Sequence, residues 1–240
     1  MTTKIQLSLD STPEEIASYL LHNNILTKAP NNVSIEKPGE GNMNLVLRFR
    51  YDGDSLILKQ SKPYVNKYPD IPAPEERIDT EAKYYAYASQ IEGLSSTMPQ
   101  ILHYDAANHL IVMEDLGASS DFMFCYEKDQ QLSDTNIEQL LQYLSALHSH
   151  EWTATQLAGF PDNLKLRQVN HAHIFDLPFR SDNGFPLDDM QQGLAQLAHP
   201  YTQDEALKTA TQHLGEIYLS SGLALLHGDF YPSASNCRDR

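Results

Sequence analysis

The residues best suited to chemistry in this sequence are a carboxylate near its end and a lysine and a glutamate in its first half. His227-Gly228-Asp229 follows the apolar run Leu223-Ala224-Leu225-Leu226, which reads as a short buried strand. A carboxylate where such a strand opens into a loop is placed to accept a proton from a hydroxyl. Gly-Asp is also a turn former, and taken by itself the tripeptide is more often a turn. Lys59 closes the apolar run Leu56-Ile57-Leu58, and Glu81 lies within a helical stretch. Each alone reads as a solvated charge; paired, they would bind phosphate and hold the binding group in place. The order along the chain gives these residues meaning. A glycine-containing turn (Gly39, Gly41) precedes the lysine strand, the glutamate helix follows, and Glu114-Asp115-Leu116 comes before the aspartate. A phosphate loop, a phosphate lysine, its glutamate, a hinge for a base and a proton acceptor occur in this order in enzymes of phosphoryl transfer.

The elements that must position these residues are legible from period and punctuation. Thr12-Pro13-Glu14-Glu15 is a capping box that opens a helix through Leu20 and Leu21. Residues 33–60 alternate with period two and read as a three-stranded antiparallel meander, with Asp52-Gly53 as a hairpin turn. A proline-rich connector (Pro63, Pro69, Pro72, Pro74) leads to a helix over 75–90. Strands are expected over 101–104 and 110–113. Helices are expected over 133–149, 188–197 and 203–220, with the stretch 151–182 mixed. The shift from strands to helices near 115 divides an N-terminal nucleotide-binding lobe, 1–115, from a helical lobe, 116–240, that carries the Asp229 loop. The fold class is α+β.

The chain has 240 residues, 41% hydrophobic and 20% charged, with a net charge of −15. Those values describe a globular chain with enough length for two lobes. The acidic balance disfavours general affinity for nucleic acid or anionic membrane. Cys125 and Cys237 are the two cysteines, too few for a disulfide framework. With no signal-peptide pattern at the N-terminus and no apolar run near the roughly 18 residues of a membrane span, a cytoplasmic location is expected. His171-Ala172-His173 offers two imidazoles without a third ligand placed by sequence, so a surface or substrate-loop role is expected over a metal site. Trp152 and Tyr84, Tyr85 and Tyr87 are expected to pack.

Several short segments together carry a family resemblance: 39–46 (Gly-Glu-Gly-Asn-Met-Asn-Leu-Val), Leu58-Lys59-Gln60, Pro63-Tyr64, 77–81 (Arg-Ile-Asp-Thr-Glu), 112–116 (Val-Met-Glu-Asp-Leu), 176–179 (Asp-Leu-Pro-Phe) and 226–229 (Leu-His-Gly-Asp). The chain resembles the aminoglycoside/choline kinase group of small-molecule phosphotransferases, and within it the methylthioribose kinases. The resemblance implies a protein-kinase-like two-lobed fold and transfer of the γ-phosphate of ATP to a hydroxyl of a small metabolite, a methylthioribose-like sugar. It implies that Gly39, Gly41, Asn44, Lys59 and Glu81 serve the nucleotide phosphates, with a magnesium ion bridging them. Glu114, Asp115 and Leu116 would meet adenine through their backbone. Asp229, with His227 beside it, would be catalytic.

The sequence departs from that pattern after Asp229. The family places a metal-facing polar residue five positions beyond the aspartate, where this chain has Ala234, and Asn236 falls two positions late. A later carboxylate segment for magnesium and the helices closing the second lobe are not present in these 240 residues. The expectation is a C-terminally truncated or frame-shifted kinase of impaired activity, with its main magnesium carboxylate missing. The alternatives are a pseudokinase-like chain that binds nucleotide or a partner, and a remnant without function.

Overall fold

A computed structural model describes residues 5–39, 43–117, 120–180, 182–220, 224–232 and 236–237. The chain divides into two compact units, Met1–Pro161 with Ala224–Arg240, and Asp162–Leu223. The expected lobe boundary at 115 falls inside the first unit.

The first unit is built on a five-stranded antiparallel sheet. Helix α1 (Pro13–His22) precedes β1 (Ser34–Glu36), β2 (Leu45–Tyr51) and β3 (Asp54–Gln60). Thr12 Oγ1 accepts from the Glu15 N–H, and Glu15 Oε2 accepts from the Thr12 N–H, completing the capping box read from sequence. A hairpin, β4 (Tyr64–Val65) and β5 (Tyr68–Pro72), occupies the proline-rich connector, where the sequence had offered only a linker. Helix α2 (Arg77–Ala88) leads to β6 (Ile101–Asp105) and β7 (Leu110–Glu114). The sheet order is β1-β2-β3-β7-β6, so β7 returns to pair with the lysine strand, Lys59 opposite Ile111.

Side chains alternate across a strand, so each strand serves two faces. Leu45, Leu47, Phe49, Leu56, Leu58, Leu110 and Val112 pack with Ile16, Ala17, Tyr19 and Leu20 of α1. The intervening residues Ile57, Ile111 and Met113 pack with Ile78 and Ala82 of α2. Two helices thus cover opposite faces, and the odd-numbered positions of β3 look toward α2. Leu58 and Leu110 are fully buried; truncating either to alanine would cost about 2–5 kcal/mol.

Short β8 (Ser120–Asp121) pairs with β9 (Asn236–Cys237). Helix α3 (Asp134–Ser149) begins at Ser133, whose Oγ accepts from the Asn136 N–H. Of its apolar stripe Leu147 is fully buried, whereas Ile137 and Leu141 are exposed. A short α4 (Ala154–Leu157) follows. The expected strand over 223–226 is not present at 224–226; residue 223 lies outside the described residues. A strand needs a backbone partner, and among the described residues none lies beside this segment. Leu225 instead enters a helical cluster with Ala88, Ile91, Leu94 and Leu147, while Leu226 is exposed.

The second unit contains α5 (Leu164–His171), a π-helical turn over Ala172–Asp176, α6 (Leu187–Met190), α7 (Leu194–Gln203) and α8 (Glu205–Leu219). The single helix expected over 188–197 is broken between α6 and α7, where Gln191 is extended and Gly193 takes φ 88°. Gly215 lets α8 approach α5: a Cβ there would stand 2.5 Å from His171 Nε2. His171 lies against Phe175, and His173 meets Phe185 edge-on, so both imidazoles sit beside aromatic rings. No helix among the described residues is long and apolar enough to cross a membrane.

Candidate functional site

Lys59 is on the α2 side of the sheet because Leu56, Leu58 and Gln60 take the other side. Glu81 stands one turn into α2, next to Ala82, which buries against Ile111 and Met113. That packing brings the two charges together: Lys59 Nζ donates to Glu81 Oε1 at 2.6 Å, with both side chains about one quarter exposed. Such a pair holds an ammonium group at a fixed place beside solvent, as phosphate binding requires.

The His227-Gly228-Asp229 loop belongs to the same unit. Gly228 takes φ 79°, a conformation that favours glycine. The Asp229 N–H donates to His227 Nδ1 at 3.3 Å, which folds the loop on itself and leaves the Asp229 carboxylate exposed. His227 lies among aromatic rings, with Tyr84 at 5.8 Å, Phe230 at 5.6 Å and Tyr143 at 6.4 Å between centroids. Tyr143 stacks on Phe230, and the Tyr84 and Tyr143 hydroxyls are hydrogen-bonded, linking α2 to α3 beneath the loop. Burial pushes the His227 pKa below its ordinary 6.5, and the Lys59 charge adds to the lowering; the carboxylates of Asp229 and Glu81 oppose it. Lys59, Glu81 and Asp229 thus all lie within electrostatic reach of His227.

The remaining candidates are distributed along the sheet rim. Gly39 has no described atom within 4 Å of where a Cβ would stand, and its φ lies outside the left-handed region. Gly41 lies outside the described residues. Asn44 is buried, and its Oδ1 accepts from Arg77 Nε at 2.9 Å, so that oxygen serves the fold.

At the end of β7, the Glu114 N–H donates to the Gln100 carbonyl and Glu114 Oε2 accepts from the Gln100 N–H. Asp115 turns its side chain inward, 4% exposed. It accepts from Arg48 Nε (2.6 Å), Arg48 Nη2 (3.1 Å), Ser55 Oγ (2.6 Å) and the Gly117 N–H (3.0 Å). Burial alone would raise the Asp115 pKa, but the Arg48 and Ser55 donors outweigh it and hold the carboxyl below its usual range. Asp115 therefore braces the 114–116 segment with its carboxylate and leaves Leu116, half-buried, at the rim.

Two residues of this framework are given no role by the sequence. Arg48 ties Asp115 to Glu36 across β2 and β1. Arg77 lies buried at the first turn of α2, four residues before Glu81. Arg77 opens the 77–81 segment that carries part of the resemblance, which by itself assigns the arginine no role. Among the described residues no three histidine, cysteine, aspartate or glutamate side chains are gathered as a metal would require.

Comparison with known proteins adds to this geometry. No family model matches the chain. It is 29% identical over 212 residues to methylthioribose kinase of Yersinia pseudotuberculosis serotype O:1b (strain IP 31758), covering 83% of this chain and 50% of that protein. It is 24% identical over 217 residues to methylthioribose kinase 2 of Oryza sativa subsp. japonica, covering 84% and 48%. Among solved structures, a spectinomycin phosphotransferase in complex with ADP and spectinomycin aligns at 12% identity and a TM-score of 0.49, over 92% of this chain and 63% of that one. By sequence the chain is thus similar to methylthioribose kinases along most of its own length, and it spans about half the length of those relatives.

Proposed function

We propose that this chain binds ATP and carries the catalytic loop of a small-molecule kinase, with a methylthioribose-like sugar as the acceptor. The observation that carries the reading is the Lys59–Glu81 ion pair together with His227-Gly228-Asp229 in the same compact unit. Residues 1–115 would act as the nucleotide-binding lobe, and 116–240 would contribute the helical part with the catalytic loop. Lys59 would contact the nucleotide phosphates, and Glu81 would keep its ammonium in place. Gly39 and Gly41 would let the backbone come close to phosphate. Glu114 and Leu116 would meet adenine through backbone groups, and Asp115 would hold that segment in register.

In the transfer itself, the acceptor oxygen forms a bond to the γ-phosphorus while the bond from that phosphorus to the β,γ-bridging oxygen breaks, releasing ADP. The hydroxyl proton passes to Asp229, and His227 orients the loop through its bond from the Asp229 N–H. Magnesium, when bound with the nucleotide, would neutralise phosphate charge.

A second reading is nucleotide or partner binding without transfer, and it rests on the sequence after Asp229, where Ala234 stands at the position the resemblance gives to a metal-facing polar residue. Thermal denaturation with ATP, with and without Mg²⁺, separates the two. Stabilisation by ATP that grows with Mg²⁺ supports the kinase. Stabilisation indifferent to Mg²⁺ supports binding alone, and no stabilisation by ATP contradicts both.

A further inference from the structure

Arg77 makes an unusual set of contacts. A guanidinium has five N–H donors in a fixed fork, and here all five have acceptors. Nε donates to Asn44 Oδ1 (2.9 Å), Nη1 to the carbonyls of Lys62 and Pro74 (2.7 Å each), and Nη2 to the carbonyls of Met43 (2.7 Å) and Tyr64 (3.2 Å). The residue is 5% exposed. Its acceptors come from three separate parts of the chain: the segment just after the Gly39 turn, the segment just after β3, and the connector into α2. Arg77 itself belongs to α2, one turn before Glu81.

We propose that Arg77 is a positioning residue that fixes the Met43–Asn44 segment and the residues after β3 against the first turn of α2, and with it Glu81 beside Lys59. This rests on reading that pair as the phosphate site. With every N–H already used inside the protein, Arg77 has no donor left for a phosphate, so it acts through the segments it holds. Four of the five acceptors are backbone carbonyls, and such bonds hold irregular segments in place. The Glu75 carbonyl accepting from Ser61 Oγ and the Ala73 N–H donating to the Pro63 carbonyl close the same junction from the other side. A merely structural arginine would stabilise the unit as a whole. This one stabilises the junction of three elements, each of which presents a part of the proposed site.

Lysine at 77 keeps the charge but lacks the fork, and cannot reach three segments at once. The test compares R77K and R77Q with the parent by amide hydrogen exchange, well below the unfolding temperature of each, and by ATP affinity. In both variants exchange at 43–46 and 62–66 is expected to quicken about tenfold or more, while exchange across Leu110–Met113 stays within about twofold. ATP affinity is expected to fall about tenfold in step with the local change. Uniform quickening across the sheet, or local quickening with ATP affinity unchanged, overturns the proposal. If the parent binds no ATP, the kinase reading fails, and the exchange pattern alone then decides whether Arg77 fixes these segments.

Discussion

Lys59 Nζ and Glu81 Oε1 lie 2.6 Å apart although 22 residues of chain separate them. The pair is made by the sheet and α2 packing on each other, since Ala82, the neighbour of Glu81, is 6% exposed against Ile111 and Met113. As a partly exposed ion pair it contributes little to stability, about 0–1 kcal/mol. Its consequence is placement. E81Q is therefore expected to shift the urea midpoint only slightly while weakening ATP binding about tenfold or more. Isothermal titration with ATP on the folded variant checks this; full affinity in E81Q would remove Glu81 from the site.

Asp115 is the opposite case, a carboxylate with four donors and almost no exposure. D115N breaks the two-bond fork with Arg48 and is expected to cost about 1–3 kcal/mol of stability at neutral pH. The sign of the pH dependence follows from the lowered pKa. The contribution is present above the unfolded carboxyl value of 3.8 and is lost as pH falls through the lower folded value. Urea unfolding from neutral to acid pH should therefore show a smaller acid loss in D115N than in the parent. Parallel curves would mean that Asp115 is not held in its charged form by the fold.

His227 is linked to pH with the same sign as Asp115 but for a different reason, since burial disfavours its charged form. Its folded pKa lies below 6.5, so protons bind the unfolded chain first as pH falls. Stability from this residue is complete above 6.5 and declines as pH drops from there toward the folded value. H227Q, which cannot be protonated there, should flatten the change in unfolding midpoint between about pH 7.5 and pH 5.5. An equal drop in parent and variant would place His227 in a solvated setting instead of among Tyr84, Tyr143 and Phe230.

Much of this arrangement can be read from sequence because it depends on period and order. Alternation in β3 puts Leu56 and Leu58 on one face and so Lys59 on the other, and the helical pattern places Glu81 in α2. The capping box at Thr12 and the Ser133 cap are local, and the structure reproduces both. What sequence does not reveal are contacts with backbone groups brought from elsewhere. Arg77 falls within the 77–81 segment, yet its role shows only once the carbonyls of Met43, Lys62 and Tyr64 converge on it. Asp115 reads as a hinge residue until Arg48 arrives from β2. The run Leu223–Leu226 has strand composition, yet at 224–226 its backbone finds no strand partner among the described residues, and Leu225 packs with helices. The β4–β5 hairpin escaped notice because its prolines signal a connector, although Pro69 and Pro72 sit within a two-stranded ladder.

The measurement that bears most directly on the central claim is transfer of labelled γ-phosphate from ATP to methylthioribose, with Mg²⁺, by the parent chain and by D229N. Transfer by the parent, reduced at least about a hundredfold in D229N with ATP affinity retained, is the predicted result. ATP binding by the parent without transfer, or equal transfer by both, would contradict it.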